Sequence, residues 1–258
     1  MVEWYYYIIA ILGGATAGFI NTLAGNGSAI TLSILTEVMG LPGNIANGTN
    51  RIGVFTQSAA GSYAFYRNGK LDLTHGKQNI FWTIIGACLG VMVAIQVSNE
   101  AFLFVFKYLM LGMLLVMVVK PKRWLKEKSE YRQVPWYLSV PVYLALGFYG
   151  GFIQMGMGIF YLATMVLISR YSMVEGNALK SFVVALYTLI VLFIFQYKGL
   201  IRWDVGLILA IGQTLGGWYT AKFASRHPKA NQIAYWLLIA IVIIVLFRMF
   251  GIFNFLRY

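Results

Sequence analysis

Two basic residues lie inside apolar stretches of this chain and carry its strongest chemical signal. Arg51 and Lys180 both sit near the start of a long apolar segment. A cation in such surroundings is unfavourable unless it is paired or hydrated. The nearest acidic residues, Glu37 and Glu175, have no counterparts at matching positions. A bound anion is therefore one natural partner for the two cations, and the alternative is that both side chains extend their charged ends toward water.

Two glycine-rich breaks accompany the cations. Residues 25–27 read Gly-Asn-Gly and residues 156–158 read Gly-Met-Gly, each between apolar runs. A helix that starts after such a break presents free N–H groups and a partial positive charge, which suit an anion. Gly27, Ser28 and Gly158 are therefore candidate anion contacts. The alternative is that the glycines only allow helices to pack closely.

Polar side chains on otherwise apolar segments complete the candidate site. Their amide and hydroxyl groups can donate hydrogen bonds to an oxyanion, or they can simply bond to a neighbouring helix. With Arg51 and Lys180, the candidate binding residues are Asn21, Asn26, Gly27, Ser28, Asn47, Thr49, Asn50, Gln57, Gln154, Gly158, Asn177 and Gln213, and Ser181 is a further polar neighbour.

The amino-acid composition indicates that these segments lie in a lipid bilayer. Only 11% of the 258 residues are charged and 60% are hydrophobic, whereas a soluble domain has about a quarter charged residues. In lipid, backbone groups must bond internally, so only helices or closed barrels span the bilayer. The apolar run 233–247 lacks the alternation of barrel strands. An all-α integral membrane protein is predicted.

Several other functions are excluded. The net charge of +12 resides in short clusters between apolar runs, which is typical of cytoplasmic loops and not of a nucleic-acid partner. Cys88, His75 and His227 are isolated, so no metal and no cofactor are expected. Aspartate occurs only at 72 and 204, in predicted loops, so the paired groups of an intramembrane enzyme are missing. We expect no enzyme.

Apolar runs and breakers predict ten helical segments. Segments 28–40 and 158–170 are too short to cross a core that needs about 20 helical residues. Short broken or re-entrant helices at corresponding places are typical of transporter repeats. The segments are 4–25, 28–40, 46–67, 77–97 and 101–119, then 135–156, 158–170, 175–197, 204–223 and 231–250.

Five motifs recur in the same order in the two halves of the chain. We therefore interpret 1–119 as an N-terminal repeat, 120–134 as a basic cytoplasmic linker and 135–258 as a C-terminal repeat of one transmembrane domain. The matches pair Gly18-Phe19-Ile20-Asn21 with Gly151-Phe152-Ile153-Gln154, 25–27 with 156–158, Gly48-Thr49-Asn50-Arg51 with Asn177-Ala178-Leu179-Lys180, Tyr66-Arg67-Asn68-Gly69 with Tyr197-Lys198-Gly199, and 86–90 with 212–216.

The number of segments in each half predicts their relative orientation. Five is odd, so the second repeat enters the membrane from the opposite face and the two repeats have inverted topology. Strict alternation puts the basic clusters around 67–77, 120–132 and 222–229 on one side. By the positive-inside rule that side is cytoplasmic, and both termini are periplasmic.

The motif at 18–21 with 25–27, together with Ala46-Asn47-Gly48-Thr49-Asn50, resembles the sulfite exporter TauE/SafE family of membrane permeases. The resemblance covers both halves. It implies a bacterial inner-membrane transporter, often an exporter, of sulfur-containing anions such as sulfite, thiosulfate, sulfoacetate or other organosulfonates. Leu179 departs from the small polar residue expected at its position, which leaves open the member of this class that is carried.

We therefore expect a secondary transporter of a small sulfur-containing anion, bound at the interface of the two repeats. An anion channel, or an uptake permease for a different small anion, are the alternatives on the same scaffold. No Gly-x4-Gly-Lys-Ser/Thr loop is present, so ATP does not drive transport directly. The expected partners are the anion and the lipid bilayer, with H+ as a candidate coupling ion.

The topology predicts a labelling result. A cysteine placed at Lys126, in a Cys88→Ala background, should react with an impermeant thiol reagent only after intact cells are opened, because the linker is cytoplasmic. Prompt labelling of intact cells from outside would contradict this topology.

Overall fold

The structure, a computed structural model, describes most of both halves. It covers residues 4–96 except His75, then residue 98, residues 131–227 except Gln133, and isolated positions beyond. The predicted segments 101–119 and, for the most part, 231–250 lie outside the described residues, as does most of the predicted linker.

Every element in this part of the chain is a helix, which confirms the all-α prediction. The helices are α1 Trp4–Ala24, α2 Gly27–Ser33 continued by a π-helix Ile34–Val38, α3 Gly43–Arg67, α4 Lys77–Ala94, α5 Trp136–Phe152, α6 Met157–Ala163 continued by a π-helix Thr164–Ile168, α7 Met173–Tyr197 and α8 Trp203–Arg226. The short helices expected at 28–40 and 158–170 are present. The segment expected at 135–156 ends earlier, because the break begins directly after Phe152.

The same succession of elements occurs twice. Helices α3 and α7 both have 25 residues, and Met173 follows Gly43 by 130 positions. Left-handed residues recur at the same offset: Gly40 (φ 67) and Arg170 (φ 62) both precede the long helix. This frame aligns Asn50 with Lys180. The recurring sequence motifs instead align Arg51 with Lys180, which differs from this frame by one residue. Glycine-rich motifs define the register less well than helix ends do.

Three of the described helices are long and apolar enough to cross a bilayer: 7–24 in α1, 77–94 in α4, and α7. Helix α3 has 25 residues but is more polar, and it buries Asn47, Thr49, Asn50, Arg51 and Gln57 in the protein interior. Its polar groups therefore face other helices and not the surroundings.

Helices α1 and α8 pack at backbone distance through glycines on both sides. A Cβ atom added to Gly14 or Gly18 of α1 would overlap the carbonyl oxygens of α8, and one added to Gly212 or Gly216 of α8 would overlap those of α1. Paired small residues are the usual means by which helices approach closely in membranes.

Helices α4 and α5 repeat this arrangement. Here Gly86 and Gly90 of α4 face Gly147 and Gly151 of α5, and each lies against a carbonyl oxygen of the other helix. The fourth helix of each half therefore packs on the first helix of the other half. Close packing is thus the observed role of the 86–90 and 212–216 motifs.

Replacing Gly90 by alanine should destabilise the protein by about 1–3 kcal/mol, since overpacked sites have to shift the backbone. The new Cβ atom overlaps the Phe148 carbonyl oxygen. Gly61→Ala is the matched control, because the nearest atom to its Cβ atom lies 3.8 Å away. Thermal unfolding in detergent measures both. Equal stability of the two variants would contradict the packing role.

Candidate functional site

The two breaks meet in the interior of the protein. Helix α1 ends at Ala24, and the backbone turns through Gly25 (φ 84). A Cβ atom on Gly158, in the first turn of α6, would lie 2.6 Å from the Cα atom of Gly25. Gly158 therefore serves close contact between the breaks. Each break leaves the last carbonyl groups of a helix without intrahelical partners, and in an apolar interior these carbonyls need donors.

Arg51 supplies donors to the end of α5. One terminal nitrogen, Nη1, donates to the Gly150 carbonyl at 2.8 Å and to Oε1 of Gln154 at 2.9 Å. The other, Nη2, donates to the Gly151 carbonyl at 3.0 Å. The guanidinium carbon also lies 5.7 Å from the ring centre of Phe195. Arg51 of the first half thus caps a broken helix of the second half.

Lys180 does the reverse. Its Nζ atom donates to the carbonyl oxygens of Asn21 at 2.9 Å and Thr22 at 3.2 Å, in the last turn of α1. It also donates to Oδ1 of Asn177 at 2.5 Å. A cation beside a helix C-terminus is favourable because the carbonyl dipoles point toward it. Lys180 of the second half thus caps the broken helix of the first half.

Two asparagines complete the caps. Nδ2 of Asn47 donates to the Phe152 carbonyl of α5 at 3.4 Å. Nδ2 of Asn177 donates to the Leu23 carbonyl of α1 at 3.0 Å. These asparagines lie at equivalent positions in α3 and α7, 130 residues apart, so the capping is reciprocal in detail.

Backbone carbonyls and amide oxygens of the described residues, and not carboxylates, accept the hydrogen bonds of the two buried cations. Arg51 is 0% exposed and Lys180 4% exposed, so the alternative, in which both side chains extend their charged ends toward water, is wrong. An ammonium group has three donors, and all three of Lys180 are directed at protein acceptors. Arg51 has five donors, of which three are used, and its Nε has no partner among the described residues. Arg51 therefore retains capacity for a ligand, whereas Lys180 positions the break.

A polar cluster surrounds the first break. Oδ1 of Asn50 accepts hydrogen bonds from Thr31 at 2.6 Å and from Nε2 of Gln213 at 3.3 Å. The Thr31 hydroxyl also lies 3.2 Å from the Ser28 carbonyl oxygen, one turn away on α2. Asn50 thus links α2, α3 and α8, so both halves contribute to the cluster.

A second set of bonds joins α1 to α3. Nδ2 of Asn21 donates to Oε1 of Gln57 at 2.9 Å, and Nε2 of Gln57 donates to the Thr22 hydroxyl at 3.3 Å. These side chains are almost fully buried. They fix the end of α1 beside α3.

Three donors at the first break have no partner among the described residues. They are the Asn26 amide, the Ser28 hydroxyl and Nδ2 of Asn50, and Asn26 leaves both of its side-chain polar atoms unbonded. All three residues are at most 3% exposed. Buried polar groups are normally hydrogen-bonded, so this cluster has unused capacity for a polar ligand.

Three further predicted site residues make structural contacts outside this polar cluster. Thr49 is buried, and its hydroxyl accepts from the backbone N–H of Arg202 at 3.0 Å, which anchors the start of α8. Gly27 starts α2 against the Ala17 carbonyl oxygen. Gln154 (φ 65) lies in the second break and accepts from Arg51 and from the Tyr187 hydroxyl.

Sequence reasoning missed Thr22, Thr31 and Tyr187. The repeat frame could have indicated Tyr187, since it occupies the position of Gln57 in the other half. The same frame pairs Thr31 with Tyr161. At these two positions the first half carries Gln57 and Thr31, where the second half carries Tyr187 and Tyr161.

Among the described residues, no group of three or more His, Cys, Asp or Glu side chains could hold a metal ion. At the edge of the helices, partial burial and the neighbouring Asp72 carboxylate raise the pKa of Tyr131.

The apolar helices, the broken helix pair and the buried polar cluster are features of a helical membrane transporter. The family model for the sulfite exporter TauE/SafE matches residues 10–249, and the chain belongs to this family. The protein is therefore a membrane transporter.

Individual relatives are also named as membrane transporters. A probable membrane transporter protein, ORF9, from a Sinorhizobium species is 25% identical over 90% of this chain and 87% of its own length. The probable membrane transporter protein YfcA of Escherichia coli K12 is 27% identical over 81% of this chain and 76% of its own. A Haemophilus influenzae relative is 26% identical over 84% of each chain. No solved structure shows a significant match.

Substituting Lys180 by methionine should destabilise the protein by about 1.5–3 kcal/mol, the range for hydrogen bonds to charged groups. The substitution removes the Lys180 donor from the Thr22 carbonyl and from the Asn21 carbonyl, of which only the Asn21 carbonyl keeps a second donor, the Gly25 N–H. Thermal unfolding in detergent provides the measurement, and Lys198→Met, at the exposed end of α7, is the control. A Lys180→Met variant as stable as the parent would show that the cap is dispensable.

Proposed function

We propose that the protein is a secondary transporter that exports a small sulfur-containing anion, which binds at the first break between the two halves. The observation that supports this most directly is the set of buried, unbonded donors around the break. Among the described residues, Asn26, Ser28 and Asn50 each offer one there, and Arg51, which follows Asn50 on α3 and bonds the second break, offers Nε. Sulfite, thiosulfate and sulfonates present several acceptor oxygens on one sulfur, which matches convergent donors in number and in kind.

Electrostatics favour an anion at this position. Arg51 is positively charged, fully buried, and paired with no carboxylate of the described residues. The carbonyl groups that it caps offset part of this charge. In a low-dielectric interior a remaining positive potential attracts an anion more strongly than in water. The N–H groups at the start of α2, beside Asn26, add to this potential.

The repeated elements support an alternating-access mechanism with inverted topology. We propose that the two halves are related by inversion, that the charged loops lie in the cytoplasm and that both termini are periplasmic, in a bacterial inner membrane. A site between two such halves is exposed to one face at a time when one half moves against the other. This is the reason for favouring a transporter over a channel, which needs a continuous open path. A proton is the proposed coupling ion, carried by the substrate itself because the described core holds no mirrored carboxylate.

The Ser28→Ala variant tests the site. We expect its affinity for the bound anion to fall about tenfold or more, because a hydrogen bond to a charged group contributes about 1.5–3 kcal/mol. Isothermal titration of purified protein with sulfite, thiosulfate, sulfoacetate, taurine and acetate first identifies the ligand and then measures the variant.

Ser139→Ala is the matched control. The Ser139 hydroxyl is also buried and without a partner, but it lies at the other end of α5. Its removal should leave affinity unchanged. Asn50→Asp, which replaces a donor with a negative charge, should abolish binding. Parental affinity in both Ser28→Ala and Asn50→Asp would place the site elsewhere, and saturation by acetate but by none of the sulfur anions would refute the substrate class.

A further inference from the structure

Four tyrosines form a buried row in the second half. Tyr143 lies on α5, Tyr161 on α6, Tyr171 before α7 and Tyr187 on α7, and all belong to one cluster of buried residues. Each is at most 5% exposed. The hydroxyls of Tyr161 and Tyr171 have no hydrogen-bond partner in the described part of the chain. Phenylalanine would fill the same space without leaving polar atoms unbonded, so packing alone does not account for these hydroxyls.

A cavity lies next to the outer end of the row. The cavity has a volume of about 270 Å³ and lies between the start of α4, the residues before α5 and the end of the second π-helix. Ser169 connects it to the row, because its Oγ atom lies 3.1 Å from the Tyr143 hydroxyl. The lining residues are Thr74, Lys77, Gln78, Asn79, Tyr131, Val134 and Ser169.

The inner end of the row reaches the cation of the first half. The rings of Tyr143 and Tyr161 are 5.9 Å apart between centres. The Tyr187 hydroxyl donates to Oε1 of Gln154 at 2.8 Å, and the same oxygen accepts from Arg51 at 2.9 Å. Polar groups therefore recur from the Lys77 side of the cavity to the buried guanidinium.

The first half has no such row. With the 130-residue offset, the positions of Ser169 and Tyr171 are occupied by Met39 and Leu41. Both pack on a buried apolar cluster with Leu35. Both π-helices end the same number of residues before a 25-residue helix, so this connection forms with apolar side chains as well as with hydroxyls.

We propose that the tyrosine row is the route by which a small anion passes between this cavity and Arg51. The inference rests on the proposed function, which places the anion next to Arg51. Neutral hydroxyls offer an anion successive hydrogen bonds without the deep binding that a charged group would impose. Lys77 lines the cavity at one end of the route, and Arg51 lies at the other end. Both ends of the route therefore attract negatively charged ligands.

Thiol accessibility tests the route independently of the substrate. In a Cys88→Ala background of the full chain, Tyr161→Cys should react with the anionic reagent sulfonatoethyl methanethiosulfonate. We expect a rate at least about tenfold higher than with the cationic trimethylammonioethyl analogue, because the route favours anions. Tyr143→Cys is a second reporter, nearer the cavity, in case the first variant does not fold.

Leu162→Cys is the control, since Leu162 is adjacent on α6, equally buried, and belongs to a different apolar cluster. It should stay unreactive. If the tyrosine variants react no faster than this control, or react equally with both reagents, the route is wrong. These outcomes do not depend on which anion binds, so they separate the route from the proposed function.

Transport provides a further distinction between a route and a site. Tyr161→Phe preserves the ring and removes the hydroxyl, and it should lower the flux of the anion identified by titration by about tenfold while its affinity stays within about twofold. Tyr197→Phe, at the exposed end of α7, should change neither. Parental flux in Tyr161→Phe would overturn the proposal, and an equal loss of affinity would make Tyr161 part of the binding site.

Discussion

The structure depends on the capping of two helix ends in an apolar interior. Helices α1 and α5 both stop inside the protein, and each stop leaves carbonyl groups that water cannot reach. Arg51 and Lys180 meet this demand, each from the opposite half. A buried cation and an uncapped helix end are both unfavourable alone, and together each compensates the other. The positions of α3 and α7 follow from this requirement.

Glycine packing provides the distances that the caps need. Helices α1 and α8, like α4 and α5, approach until backbone atoms of one touch glycines of the other. This contact brings the ends of α1 and α5 within reach of side chains on α3 and α7. The order of helices is the same in the two halves, whereas the side chains that surround their breaks differ. Amides and short hydroxyls surround the first break, whereas tyrosines occupy the positions of Thr31 and Gln57 in the second half.

Much of this was predictable from residue types. Apolar runs located the eight described helices, and the two short helices followed from their glycine breaks. Arg51 and Lys180 were singled out because cations are rare in apolar segments. Their main partners were not predictable, because backbone carbonyls are present at every residue and leave no sequence signal. The sequence motifs align Arg51 with Lys180, one residue away from the alignment given by the helix bounds. Glycine motifs mark a break but do not fix the residue at which the next helix begins. Thr31 and Tyr161 escaped notice because hydroxyl residues are common and only the repeat frame makes them equivalent.

Reciprocal capping also has a consequence for how the protein is made. The residues that cap α1 lie far along the chain: Lys180 is 159 residues after Asn21. When α1 enters the bilayer, the Thr22 and Leu23 carbonyls in its last turn lack the donors that α7 supplies, and this end stays incomplete until α7 has been synthesised. Neither half can reach its final structure alone. A chain truncated before Lys180 therefore lacks the side chain that caps α1, although α1 itself is complete.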